Sequence, residues 1–256
     1  MIRAFFANWA GAFGDGWRMA RVLPLLIVAI AGIEFAQHVV ELHLGFFSVD
    51  PVVRKAASMQ PLRMAFGWPK MLTLWAVGFI AMRYCVTGDA RAALRPSAIA
   101  FRRYAWVVVF QLIPFTAILY AEQILAALGL PADRVMTFRG VFGLGQQLIE
   151  PALMLWFVNA AMGTKAFGPV ASARATRWLY FWALVLMFLT RTPVGALHQY
   201  LNRWPAGQSA AVQWTLLAID ALVVGVLAVI VPAVQVRIAR YVAERRSVGV
   251  LGGEAR

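Results

Sequence analysis

Glu34, His38 and Glu41 are spaced Glu-x3-His-x2-Glu. On a helix this spacing stacks all three side chains on one face. Two carboxylates and an imidazole so placed can ligate a metal ion, hand on a proton, or pair with cations from another helix. Gln37 flanks the same stripe. Polar residues repeat at helical spacing further along: Gln111 and Glu122 are eleven apart, Gln146, Gln147 and Glu150 cluster, Arg191 and His198 are seven apart, and so are Gln213 and Asp220. One-sided stripes on separate helices are expected to face one another rather than lipid. The candidate polar pocket is therefore Glu34, His38, Glu41, Glu122, Gln147, Glu150, Arg191, His198 and Asp220. Within it Glu34, His38 and Glu41 are the candidate metal ligands, and no residue is assigned as catalytic.

The elements that carry these residues are set by composition. Of 256 residues 62% are hydrophobic and 14% charged, and mean hydropathy is +0.71. Soluble domains carry roughly 25% charge, so an ordinary soluble enzyme, a disordered chain and a disulfide scaffold are all excluded. Cys85 is the only cysteine, which removes intrachain disulfides and Cys-based metal motifs. What remains is an all-α, polytopic transmembrane bundle. A bilayer core of about 30 Å takes about 20 apolar helical residues, and six stretches qualify: 22–44, 70–88, 104–128, 141–163, 178–200 and 211–235. Residues 1–21 form an amphipathic lead-in with Phe5, Phe6, Trp9, Phe13 and Trp17 beside Arg3 and Arg18, suited to a membrane surface. Residues 236–256 form a basic tail that continues the last helix and frays through Gly249, Gly252 and Gly253. In the connection 45–69, punctuated by Pro51, Pro61 and Pro69, residues 52–59 are expected to make a short surface helix. The first span, interrupted by Glu34, His38 and Glu41, is expected to be a membrane helix and not a cleaved signal peptide.

Charge sets the orientation. With both termini cytoplasmic, sixteen basic residues fall inside, seven outside, and Arg191 within a span. Basic residues concentrate on the cytoplasmic side, so both ends are placed there. The polar groups then lie mostly between the midplane and the outer surface, Gln111 excepted. Arg outnumbers Lys by 21 to 3, the usage of a GC-rich bacterial genome, and the expected location is the bacterial inner membrane. The net charge of +13 is assigned to the cytoplasmic face and anionic lipid headgroups, with the bilayer and not nucleic acid as partner.

Five acids fall in the expected spans: Glu34, Glu41, Glu122, Glu150 and Asp220. An ionised acid at mid-membrane costs about 2.5–3.5 kcal/mol, so these groups must be paired, protonated or hydrated. Arg191 is the one cation deep in an expected span, and it is expected to be indispensable to the structure. Pro114, Pro151, Pro193 and Pro232 each free a carbonyl one turn earlier, and Glu150-Pro151 sets a break beside an acid. Small residues at Gly32 and Ala36, and at Ala221 and Gly225, are expected to allow close helix packing.

The stretch Ala171 to Leu186 (ASARATRWLYFWALVL) and the basic run Val236 to Tyr241 resemble an uncharacterised six-helix bacterial inner-membrane family, similar in outline to the membrane domain of glycerophosphodiester phosphodiesterases. That resemblance implies a six-helix membrane domain with no established catalytic residues.

Four roles are open to the polar set. It can be a structural network in a non-enzymatic envelope protein, or the lining of a transporter for a proton, cation or small polar solute. It can also be a metalloenzyme site on Glu34, His38 and Glu41, or a haem site on His38 and His198. No phosphate loop, dinucleotide fingerprint or nucleophile elbow occurs, and no cofactor is expected.

Overall fold

The computed structural model describes residues 2–247; the part of the tail at 248–256, with Gly249, Gly252 and Gly253, lies outside the described residues. All regular structure among them is helical. Six helices are long and apolar enough to cross a membrane, Pro24–His43, Pro61–Thr87, Ala98–Leu119, Ala132–Met162, Leu179–Arg203 and Ala210–Arg246. The chain is thus an all-α multi-pass membrane protein. It folds as two compact units, residues 2–90 with 186–234, and residues 91–185 with 235–247.

The first unit begins with α1 (Ile2–Val22) and α2 (Pro24–His43), separated at Leu23 because Pro24 takes the first position of a new helix. On α2 the buried face is Leu26, Ile30, Glu34, His38 and Glu41, while Leu25 and Val28 are exposed. This helix hides Glu34, His38 and Glu41 while showing Leu25 and Val28, an arrangement that water would not tolerate and acyl chains favour. A short helix α3 (Pro51–Ser58) follows, capped by Asp50, whose Oδ1 accepts the Val52 N–H at 2.8 Å. Next, α4 (Pro61–Thr87) ends on Gly88, whose left-handed φ of 70° closes the last turn. Its start corrects the span edge of 70 read from sequence. Pro69 looks like loop punctuation, yet it sits inside this helix; only the hydrogen bond from its own missing N–H is lost. Arg63 and Lys70 are thereby lifted out of a loop and onto a helix.

The second unit starts with α5 (Ala90–Leu94) after its first residue, then α6 (Ala98–Leu119), capped by Ser97 Oγ on the Ala100 N–H. At Tyr120 the chain turns into the separate helix α7 (Ala121–Ala127). The expected span 104–128 is therefore cut at 119, and the shared face inferred for Gln111 and Glu122 is lost, because helical spacing counts only along an unbroken helix. The next span is interrupted as well. Helix α8 (Val135–Ile149) passes into a 3-10 turn, Glu150–Leu153, before α9 (Met154–Met162) resumes. The break beside Glu150 falls where Pro151 withholds its N–H. Helix α10 (Pro169–Thr176) closes this part of the unit.

Helices α11 (Leu179–Arg203) and α12 (Ala210–Arg246) contribute to both units. The 37 residues of α12 run about 55 Å at 1.5 Å per residue, so the basic end at Arg245 and Arg246 continues the last span without a break. Within the first unit, α12 meets its neighbours through small residues. A Cβ on Gly225 would stand 2.9 Å from Ile27 Cγ2 and 3.0 Å from the Ile27 carbonyl oxygen, while around Gly32 nothing lies within 4 Å. Gly225 therefore carries the close packing, with Ala221 buried one turn before it, and Gly32 with Ala36 looks outward. We expect Gly225→Ala to lower stability by about 1–3 kcal/mol, the cost of overpacking a tight contact, and Gly32→Ala to leave it unchanged or slightly raised. Unfolding of the two variants in mixed micelles checks this contrast.

Candidate functional site: a buried acid–base network

Four helices of the first unit build one network. From α2, Glu34, His38 and Glu41 point inward, with exposures of 1%, 0% and 1%. From α4, Lys70 meets Glu34, and Arg63 Nε donates to Glu41 Oε1 at 2.8 Å. Both pairs obey one antiparallel register, since 34 and 70, like 41 and 63, add to 104. A seven-residue spacing of acids on α2 is matched by a seven-residue spacing of bases on α4. From α12 comes Asp220, fully buried, and from α11 come His198 and Asn202. His198 Nδ1 lies 2.8 Å from Asp220 Oδ1, and Asn202 Nδ2 donates to Asp220 Oδ2 at 2.9 Å.

His38 joins the two halves. Its Nδ1 is 2.9 Å from Glu41 Oε2 and its Nε2 is 3.0 Å from Asp220 Oδ2, with Glu34 Oε1 at 3.7 Å. Carboxylates only accept, so these two contacts hold a proton on each ring nitrogen, or one on a carboxyl in its place. Three carboxylates thus face the Arg63 guanidinium, the Lys70 ammonium and the imidazoles of His38 and His198. Gln37 Nε2 adds a hydrogen bond to Glu41 Oε1 at 2.9 Å, and the Arg63 guanidinium sits 4.2 Å over the Phe46 ring. The carboxylates are sealed, whereas Arg63, Lys70 and His198 keep exposures of 26%, 21% and 20%. All members but Glu34, which sits at the middle of α2, lie toward the helix ends that flank the connections 44–60 and 204–209. Glu34, nine residues from the end of α2, is about 13 Å in, and Lys70, nine from the start of α4, about the same.

Of the nine residues expected in one pocket, Glu34, His38, Glu41, His198 and Asp220 are joined in this network. Arg191 is half-buried on α11, two turns before His198. The remaining three belong to the second unit. There Glu150 is buried and accepts a hydrogen bond from Gln235 Nε2 at 2.6 Å. Glu122, in the first turn of α7, lies 3.6 Å from Arg139 and is about a third exposed, and Gln147 is exposed.

Arg63, Lys70 and Asn202 are network members that the polar stripes of the apolar spans do not include. They lie outside or at the edge of those spans, where hydropathy falls away. The complementary spacing of Glu34 and Glu41 with Arg63 and Lys70 is the signal that finds the two bases. The charge balance changes accordingly: Arg191 is not the sole cation within a span.

Metal and haem fit poorly. Oxygen and nitrogen atoms of Glu34, His198 and Asp220 lie within 4.8 Å of one another, a different trio from Glu34, His38 and Glu41. Lys70 already sits on Glu34, and Asn202 on Asp220, so a cation there would meet an ammonium and an amide N–H. Nitrogens of both histidines are directed at the same Asp220 carboxylate, leaving no gap between them for a porphyrin.

Fold and site together define a multi-pass integral membrane protein with a buried acid–base network. No protein-family model, no curated protein and no solved structure matches this chain.

Proposed function

We propose that this chain is a non-enzymatic protein of the bacterial inner membrane, with both termini cytoplasmic, whose network clamps four helices of the first unit near their outer ends. One observation carries the reading: each buried carboxylate of the network is met by a matching group from another helix, the α2 acids and α4 bases in a single register. Such a set fixes helix register, because sliding α4 by one turn along α2 would separate both pairs at once. Anionic lipid headgroups against the basic cytoplasmic face are the partners of this reading.

A second reading, movement of protons or cations, is favoured by the continuous chain Glu41–His38–Asp220–His198, which ends on a partly exposed imidazole. Proteoliposomes with an entrapped pH dye separate the two. The structural reading expects equal proton leak for the native protein and Asp220→Asn, whereas a native flux that Asp220→Asn abolishes establishes transport. Orientation is checked by a reporter fused after Arg256. Activity in the cytoplasm is expected, and a periplasmic signal reverses the topology.

A further inference from the structure

The second unit contains a cavity of about 500 Å³ between α6, α9 and the loop before α10, within the size range of small-molecule sites. Its two ends differ in chemistry. Arg103 and Lys165 supply positive charge at one end, and no acid is among the lining residues. Trp106 follows Arg103 by one turn of α6, and the other end is walled by Phe110 and Trp156, edge to face at 5.6 Å. Arg103 and Phe110 are seven residues apart on α6, or about 10 Å along its axis.

Local structure holds the charged end in place. Arg103 donates to the Gly163 carbonyl, which fastens α6 to the end of α9. Gly163 makes this possible: its φ is +78°, and a Cβ there would stand 3.1 Å from the Ala100 backbone nitrogen. Because one guanidinium group carries five N–H donors, Arg103 retains several for a ligand. Lys165 is exposed, and its ammonium is a mobile point charge. Trp106 is 67% exposed on a helix long and apolar enough to cross a membrane, so the cavity is uncovered on that side.

We propose that this cavity is a binding site for one anionic phospholipid, its phosphate held by Arg103 and Lys165 and the upper part of an acyl chain lying along Trp106, Phe110 and Trp156. Guanidinium and ammonium suit a phosphate diester, and indole rings suit the boundary between headgroup and chain. The site rests on the proposed orientation only for its leaflet, the cytoplasmic one.

Native mass spectrometry of the full chain in mild detergent, with added phosphatidylglycerol or phosphatidylcholine of identical chains, tests the site. We expect one phosphatidylglycerol to be retained about tenfold better than phosphatidylcholine, because both carry the phosphate diester but the choline ammonium would add a third positive charge beside Arg103 and Lys165, and tenfold corresponds to about 1.4 kcal/mol. Lys165→Gln, an exposed loop change without consequence for folding, reduces that preference severalfold. Arg103→Gln with Lys165→Gln abolishes it, and Arg54→Gln on α3, which removes a charge elsewhere, leaves it intact. Equal retention of the two lipids, an unchanged preference in Lys165→Gln, or displacement by millimolar inorganic phosphate each overturns the proposal. A periplasmic reporter signal with the lipid preference intact removes the assigned leaflet and leaves the site standing; a cytoplasmic signal without the preference removes the site alone.

Discussion

Lys70→Met will lower folding stability by about 3 kcal/mol, and adding Glu34→Gln to it will restore most of the loss. Removing one partner of a buried ion pair typically costs about 3–5 kcal/mol, because the other charge stays behind without compensation. The lower figure applies here because Lys70 keeps 21% exposure, so water shares in its pairing. Glu34 at 1% has no such relief. In the double variant the glutamine is neutral and the methionine fills the volume of the lysine stem, so no orphaned charge remains. Arg63→Met should follow the same rule more mildly, since Arg63 is 26% exposed and Glu41 keeps its contacts with Gln37 and His38. Reversible unfolding in mixed micelles measures all of these. If Lys70→Met alone and the double variant were equally destabilised, the pair would not be coupled and would not hold α2 and α4 in register.

Asp220→Leu is expected to have the larger effect, about 4–5 kcal/mol or outright loss of folded protein. One carboxylate accepts from three side chains on two other helices, namely His38, His198 and Asn202. Each buried donor left without an acceptor costs about 1–3 kcal/mol, and His38 would lose one of its two carboxylates. Asp220→Asn keeps a carbonyl oxygen in the same place and should cost roughly half as much. Folded yield after detergent extraction, read by size-exclusion profile, separates them. A leucine variant that folds as well as the asparagine one would mean that the three donors find water instead.

The stripe on α2 is fully legible in the sequence. Glu34, His38 and Glu41 recur at spacings only a helix can align, and apolar residues fill the rest of its circumference, so the charged side had to be the inward one. The same counting fails at Glu122, because the break at Tyr120 has no strong marker in the sequence and it disconnects the register. It fails in the opposite sense at Pro69, which looks like a helix stop but is absorbed by α4, and this hides Arg63 and Lys70.

By itself the sequence determined that this is a multi-helix membrane protein, which face of α2 turns inward, and that its acids needed partners. Those properties follow from local periodicity and from the cost of burying charge, both of which can be counted along the chain. Which groups meet was decided only by the tertiary structure. The pairing of Glu34 with Lys70, the bridge of His38 to Asp220, and the separate placing of Glu150 beside Gln235 depend on the register between helices far apart in the chain. Register is set by packing such as that of Gly225 against Ile27, a contact between distant residues that no local spacing encodes.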